Sequence, residues 1–148
     1  MAGQTSKLVS HGFEFRNWAG GEEAAEQFGL THAVIVPANT RRVIVGGQLG
    51  IRDDGTIPDK LEDQVREAFD HVTRSLQAAG LGEDAWEYVY SVKTFEVNKD
   101  GKGITHVVVP IAREYLKKTK PAWTGVTVNG LAFPGLHLEI TVEAFLPN

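Results

Sequence analysis

The sequence predicts one α+β domain over residues 1–148, a sheet with two helices. Its 148 residues, 42% of them hydrophobic, suit a single core that hides most of the surface an unfolded chain exposes. Apolar residues recur at helical spacing in one long stretch, whereas β-branched and aromatic residues gather in several shorter ones, so strands outnumber helices. Nothing is repetitive or low in complexity, and disorder is expected only near the ends, roughly from Met1 to Ser10.

Taken in order, a weak strand is expected at Phe13 to Arg16. Thr31 to Val36 and Arg42 to Val45 are rich in β-branched residues and flank the turn-prone Pro37-Ala38-Asn39-Thr40, which reads as two antiparallel strands joined by a short loop. Leu61, Val65, Phe69, Val72 and Leu76 follow at spacings of four and three, so an amphipathic helix is expected from about Asp59 to Ala79, stopped by Gly80. Trp86 to Val97 has strand composition. Pro110 to Lys118 puts Ile111 and Tyr115 on one helical face, with Pro110 marking a start or a kink. Thr124 to Val128 and Leu136 to Leu146 are the last two strands, parted by a loop with Asn129-Gly130 and Pro134-Gly135. A sheet with both helices on one face leaves its other face needing cover, and an oligomer that packs those faces together is the economical solution.

Charge and composition exclude several functions. The formal net charge is −4, and apart from Lys117, Lys118 and Lys120 the basic residues are scattered, so no stripe exists to follow a phosphate backbone and nucleic acid is not the expected partner. There is no cysteine, hence no disulfide, thiol nucleophile or thiolate metal site. Histidines lack a metal-ligating pattern, and no phosphate loop or nucleophile elbow can be read, so neither metal nor cofactor is expected. No run of about 18 apolar residues occurs, and the start resembles no signal or transit peptide, so a soluble cytoplasmic protein is the expectation.

Four segments, HAVIV, VIVGGQ, KPAWTGV and LEITVEAF, stand in this order around the two helices. From about Gly29 onward the chain resembles the YjgF/Rid family, also called endoribonuclease L-PSP-like. Gly29 to Val34 is similar to that family's PYSQAV, Gly46-Gly47-Gln48 to its SGQ, Pro121 to Val126 to its PARSCV, and Leu138-Glu139-Ile140 to its VEIEA. The resemblance implies a chorismate-mutase-like fold with a mixed sheet and two helices on one face, a homotrimer, and a small-molecule site at each subunit interface. In family members that hydrolyse enamines and imines, the arginine of PAR binds the substrate carboxylate and the first glutamate of VEIEA helps activate water. Here the arginine position holds Trp123, the cysteine position Gly125, the tyrosine position Leu30, and an asparagine position in the second helix Val109.

Candidate ligand-binding residues are therefore Leu30, Gly46, Gly47, Val109, Trp123 and Gly125, and the candidate catalytic residue is Glu139, with Thr141 as the alternative register. Strand alternation puts Trp123 and Gly125 on one face of their strand, and Glu139 and Thr141 on one face of theirs, so one cavity could be lined from both. Trp123 also has a plain reading as a core aromatic, Glu139 as a solvated carboxylate, and Gly46-Gly47 as a bulge. A neutral indole cannot replace a bidentate guanidinium under a carboxylate, so the expected ligand is neutral, flat or apolar, or a cation that uses the indole face. The readings in play are a Rid-like enzyme using Glu139 as general acid or base, a ligand-binding homotrimer without turnover, and, less favoured, an endoribonuclease.

Overall fold

The computed structural model describes residues 6–148. Ten elements follow one another: α1 (Lys7–Ser10), β1 (Glu14–Arg16), α2 (Glu22–Phe28), β2 (Ala33–Ile35), β3 (Arg42–Leu49), α3 (Leu61–Ala78), β4 (Val89–Glu96), α4 (Thr105–Leu116), β5 (Ala122–Thr127) and β6 (Leu138–Phe145), with a 3-10 turn at Ala85–Tyr88. The main sheet has strand order β3-β6-β4-β5. Its β4–β5 pair is parallel and the other pairs are antiparallel, which confirms the mixed α+β architecture. No helix among the described residues is long and apolar enough to cross a membrane.

Helix α3 forms where the periodicity placed it. Val65, Phe69, Val72 and Leu76 are fully buried, Glu62 and Asp63 face the positive end of the helix dipole, and Gly80 at φ +112° lets the chain turn away. Beside it, α4 buries Val108, Ile111, Ala112 and Leu116. It starts five residues before the expected Pro110, which lies inside the helix and removes only one N–H from the ladder. Both helices share one core with Val92, Leu138, Ile140, Val142 and Ala144 from the sheet.

Three expectations are corrected. The strand at 33–35 does not form a hairpin with the one at 42–49. β2 is only three residues long and pairs with β1, whereas the eight-residue β3 runs along β6, where a longer ladder and a buried face are available. The segment at Lys7–Ser10 is a helical turn rather than disorder, because Leu8 is fully buried and Ser6 caps the turn through its hydroxyl; the rest of that expectation, residues 1–5, lies outside the described residues. Helix α2 was not foreseen.

Among the described residues, the opposite face of the sheet is covered only at one end. A bulge between Val89 and Ser91 turns Tyr90 outward, where Leu8, Phe13 and Phe145 pack around it. Elsewhere this face leaves Ile44 66% and Val126 43% exposed.

Tyr90 gives the fold a pH signature. Burial, followed by the adjacent Glu143 carboxylate, pushes its phenol up to about 12 from an ordinary 10.0. The folded state thus holds this proton more tightly than the unfolded chain. The resulting stability is complete below about pH 10 and is lost as pH rises through the folded value. Melting temperature is expected to fall between about pH 10 and 12 in the wild type and to fall less steeply in Tyr90→Phe; equal slopes would refute the assignment.

Candidate functional site

One cavity of about 190 Å³ gathers four of the residues singled out from sequence. Leu30, Val109, Trp123 and Gly125 line it together with Phe28, Glu96, Thr105, Val126 and Thr127. It opens beside the edge strand β5, under α4 and against the end of α2.

The wall formed by Phe28 and Leu30 is held by several contacts. Gly29 ends α2 in the left-handed conformation, at φ 67° and ψ 38°. Arg113 of α4 donates from Nη2 to the carbonyls of Glu26 and Gln27, at 3.2 Å to the former, placing a cation on the negative end of α2. Lys120 pairs with Glu26, and the Thr31 N–H donates to the Pro121 carbonyl at 3.0 Å, which ties this segment to the start of β5.

The floor is polar and connected. In the parallel pair, Val92, Thr94 and Glu96 of β4 lie beside Trp123, Gly125 and Thr127 of β5, all on the helix-bearing face. The Trp123 Nε1–H donates to Thr94 Oγ1 at 3.1 Å. The Thr94 hydroxyl donates in turn to Glu96 Oε2 at 2.9 Å, and Thr105 Oγ1 at the start of α4 donates to Glu96 Oε1 at 3.0 Å. Thr94 is fully buried and Glu96 is 7% exposed, so this is a carboxylate largely removed from water. It forms no ion pair among the described residues. Gly125 leaves room for the arrangement: a Cβ there would sit 2.9 Å from Thr94 Oγ1 and 3.2 Å from Glu96 Oε2.

The other three candidates lie elsewhere in the chain. Gly46 and Gly47 fall in the bulge between Val45 and Gln48, which agrees with the bulge reading of that pair. Glu139 pairs with Leu49 of β3 and Phe95 of β4, so it projects from the face opposite Thr94 and Glu96. Gly47 admits it, since a Cβ at 47 would collide with the Glu139 carboxylate. Thr141 shares that outer face and donates its hydroxyl to the Val45 carbonyl. Within the chain the faces carrying Trp123 and Glu139 therefore do not converge. The sequence reading missed Glu96, Thr94 and Thr105. Their signal was available: Thr94 and Glu96 share strand parity with Val92, so a carboxylate falls on the core-facing side of β4.

Cations stand nearby but are already engaged. Arg113 and Lys120 line a separate groove on the far side of Trp123, where they hold the end of α2. Among the described residues, no Lys, Arg or His lines the cavity itself.

Residues 24–146 match the model of the family described as endoribonuclease L-PSP. The RutC family protein YjgH of Escherichia coli K12 is 32% identical over 106 residues, which cover 71% of this chain and 76% of YjgH. Among solved structures, YyfB of Yersinia pestis, a Rid-family protein of unknown function, superposes with a TM-score of 0.74 at 22% identity, covering 90% of this chain and 98% of its own. TdcF of E. coli, solved with bound serine, gives a TM-score of 0.62 at 22% identity over 76% of this chain and 85% of TdcF. With a family match spanning most of its length and a relative of this identity, the chain belongs to the endoribonuclease L-PSP family, that of the YjgF/Rid proteins.

Proposed function

We propose that this chain is a small-molecule enzyme of its family, working as a homotrimer on a substrate that is not anchored through a carboxylate. One observation carries the reading: among the described residues the cavity has no cationic lining residue and instead presents the carboxylate of Glu96. Serine, the molecule bound to TdcF, brings a carboxylate of its own. Seating such a group beside Glu96 would bury two like charges with no counter-ion, at a cost of at least several kcal/mol.

The chemistry that suits the site is hydrolysis of a carbon–nitrogen double bond or a related acid/base rearrangement. In hydrolysis, water adds to the carbon, the nitrogen takes up protons, and the carbon–nitrogen bond breaks to leave a carbonyl and ammonia. A carboxylate can relay those protons. Glu96 is within the cavity. A second candidate is Glu139 of the partner subunit, reached if trimer packing sets one outer face beside the open side of the next cavity. The exposed Ile44 and Val126 on that outer face support such packing. A non-catalytic ligand-binding trimer is the second reading, and it is favoured by the fact that both oxygens of Glu96 already accept hydrogen bonds.

The test is hydrolysis of 2-iminobutyrate generated in situ. Ammonia release is expected to stay at the rate of the buffer, and robust turnover would show that a cation outside the cavity anchors the carboxylate and would overturn the proposal.

A further inference from the structure

We infer that the cavity takes a small protonated amine or amidine, with Glu96 as its counter-ion and the indole of Trp123 as its wall. This rests on the cavity being the ligand site and adds the class of ligand.

The direction of the hydrogen bonds carries the inference. Trp123 spends its only N–H on Thr94, and Thr94 and Thr105 both spend their hydroxyl protons on Glu96. Two hydroxyl donors thus converge on one acceptor-only group, and the indole N–H backs one of those hydroxyls. What remains for a ligand is acceptor capacity: each carboxylate oxygen keeps a lone pair beyond the one it has used, and only the Thr127 hydroxyl at the rim is an uncommitted side-chain donor among the lining residues. A ligand presenting N–H groups fits this surface, and an anion does not.

Charge points the same way. A carboxylate 7% exposed, held by two neutral hydroxyls and without an ion pair among the described residues, is an incompletely compensated charge. Lys120 and Arg113, the nearby cations, face the other groove. An ammonium entering the cavity would supply the missing partner through a charge-assisted hydrogen bond, and the aromatic ring lining the same space adds a cation–π contribution. The apolar remainder, Phe28, Leu30 and Val109, suits a short hydrocarbon body. The volume exceeds that of the roughly 150 Å³ apolar cavity that takes up benzene, enough for an amine of four or five carbons.

Matched probes test this: n-butylamine, 1-butanol and butyrate, titrated at neutral pH into the intact protein while the indole N–H resonance of Trp123 is followed by NMR. The chain has three tryptophans, and Trp123→Phe identifies the signal. Butylamine is expected to shift it with a dissociation constant of roughly millimolar order, as befits so small a ligand. Butanol and butyrate are expected to bind at least about tenfold more weakly. In Glu96→Gln the amine should fall to the level of the alcohol. Butyrate binding as well as butylamine, or an amine preference that survives Glu96→Gln, would overturn the role of Glu96 while leaving a ligand cavity in place. If none of the three moves the resonance, the ligand site itself is lost along with the inference. Should Glu96→Gln fail to fold, the ranking of the three probes on the wild type decides alone.

Discussion

Trp123→Arg is expected to weaken amine binding without creating a carboxylate site, although it restores the residue that the resemblance places at this position. The guanidinium would enter where the indole now reaches Thr94, with Glu96 Oε2 only 2.9 Å beyond that hydroxyl. An arginine there finds its bidentate partner inside the protein and neutralises the charge that an ammonium would otherwise meet. Butylamine affinity should drop by about one to two orders of magnitude, the range of a charge-assisted hydrogen bond, while butyrate stays weak. The double variant Trp123→Arg/Glu96→Gln frees the guanidinium, and butyrate binding should appear only there. The two substitutions are therefore expected to be strongly non-additive, with a coupling of roughly 1–3 kcal/mol. Butyrate binding in the single variant Trp123→Arg, measured by calorimetry, would show that the introduced guanidinium is not captured by Glu96. The pairing also gives a physical reason for three features occurring together. With tryptophan at 123, a carboxylate at 96 has a ligand to meet; with arginine, it would have silenced the site; and Gly125 supplies the space the network occupies.

That network was only half legible in the sequence, and the reason lies in sheet parity. Leu30, Val109, Trp123 and Gly125 were found through motif positions, and the fold does bring them to one cavity. Motif position says nothing about neighbours across a ladder. Trp123 meets Thr94 because β5 runs parallel to β4 with Trp123 opposite Val92 and Gly125 opposite Thr94, a register no local pattern discloses. The same reason defeated the expected hairpin between 31–36 and 42–45: the turn-prone loop was real, but β3 found a longer partner in β6, nearly a hundred residues away. Elements whose signal is local were readable. Helix α3 has its five apolar positions at helical spacing, and α2, though missed, carried its own cues: Glu22 and Glu23 in the first turn and Gly29 after the last. Glu139 shows the opposite case, a residue with a persuasive motif whose strand parity sends it to the other face of the sheet.

Phe69→Ala is expected to be among the most damaging single truncations of the core, costing about 3–5 kcal/mol, and to loosen the cavity from behind. Phe69 is fully buried at the middle of α3. Its ring lies 5.3 Å from that of Trp86 and 5.1 Å from that of Tyr115, and so joins α3 to the 3-10 turn and to α4. Neither neighbour can easily move into the space. The Trp86 indole donates to Thr73 Oγ1 at 2.7 Å and the Tyr115 hydroxyl donates to Asp70 Oδ1 at 2.6 Å, so both rings are tethered to α3 at their polar ends. A cavity left by the phenyl group would therefore stay largely open, which places the loss toward the upper part of the range for such truncations. For a domain of this length the melting temperature should fall by roughly 10 °C. Phe69→Leu, which retains most of the apolar volume, should cost much less. The consequence for the site runs through α4, which carries Thr105 and Val109 at its start and Tyr115 near its end. If Phe69 anchors that helix, Phe69→Ala should weaken butylamine binding at temperatures where the protein is still folded, whereas Phe69→Leu should not. A melting temperature in Phe69→Ala within a degree or two of the wild type would mean that Trp86 and Tyr115 do collapse into the gap, and that their tethers to Thr73 and Asp70 are weaker than the geometry implies.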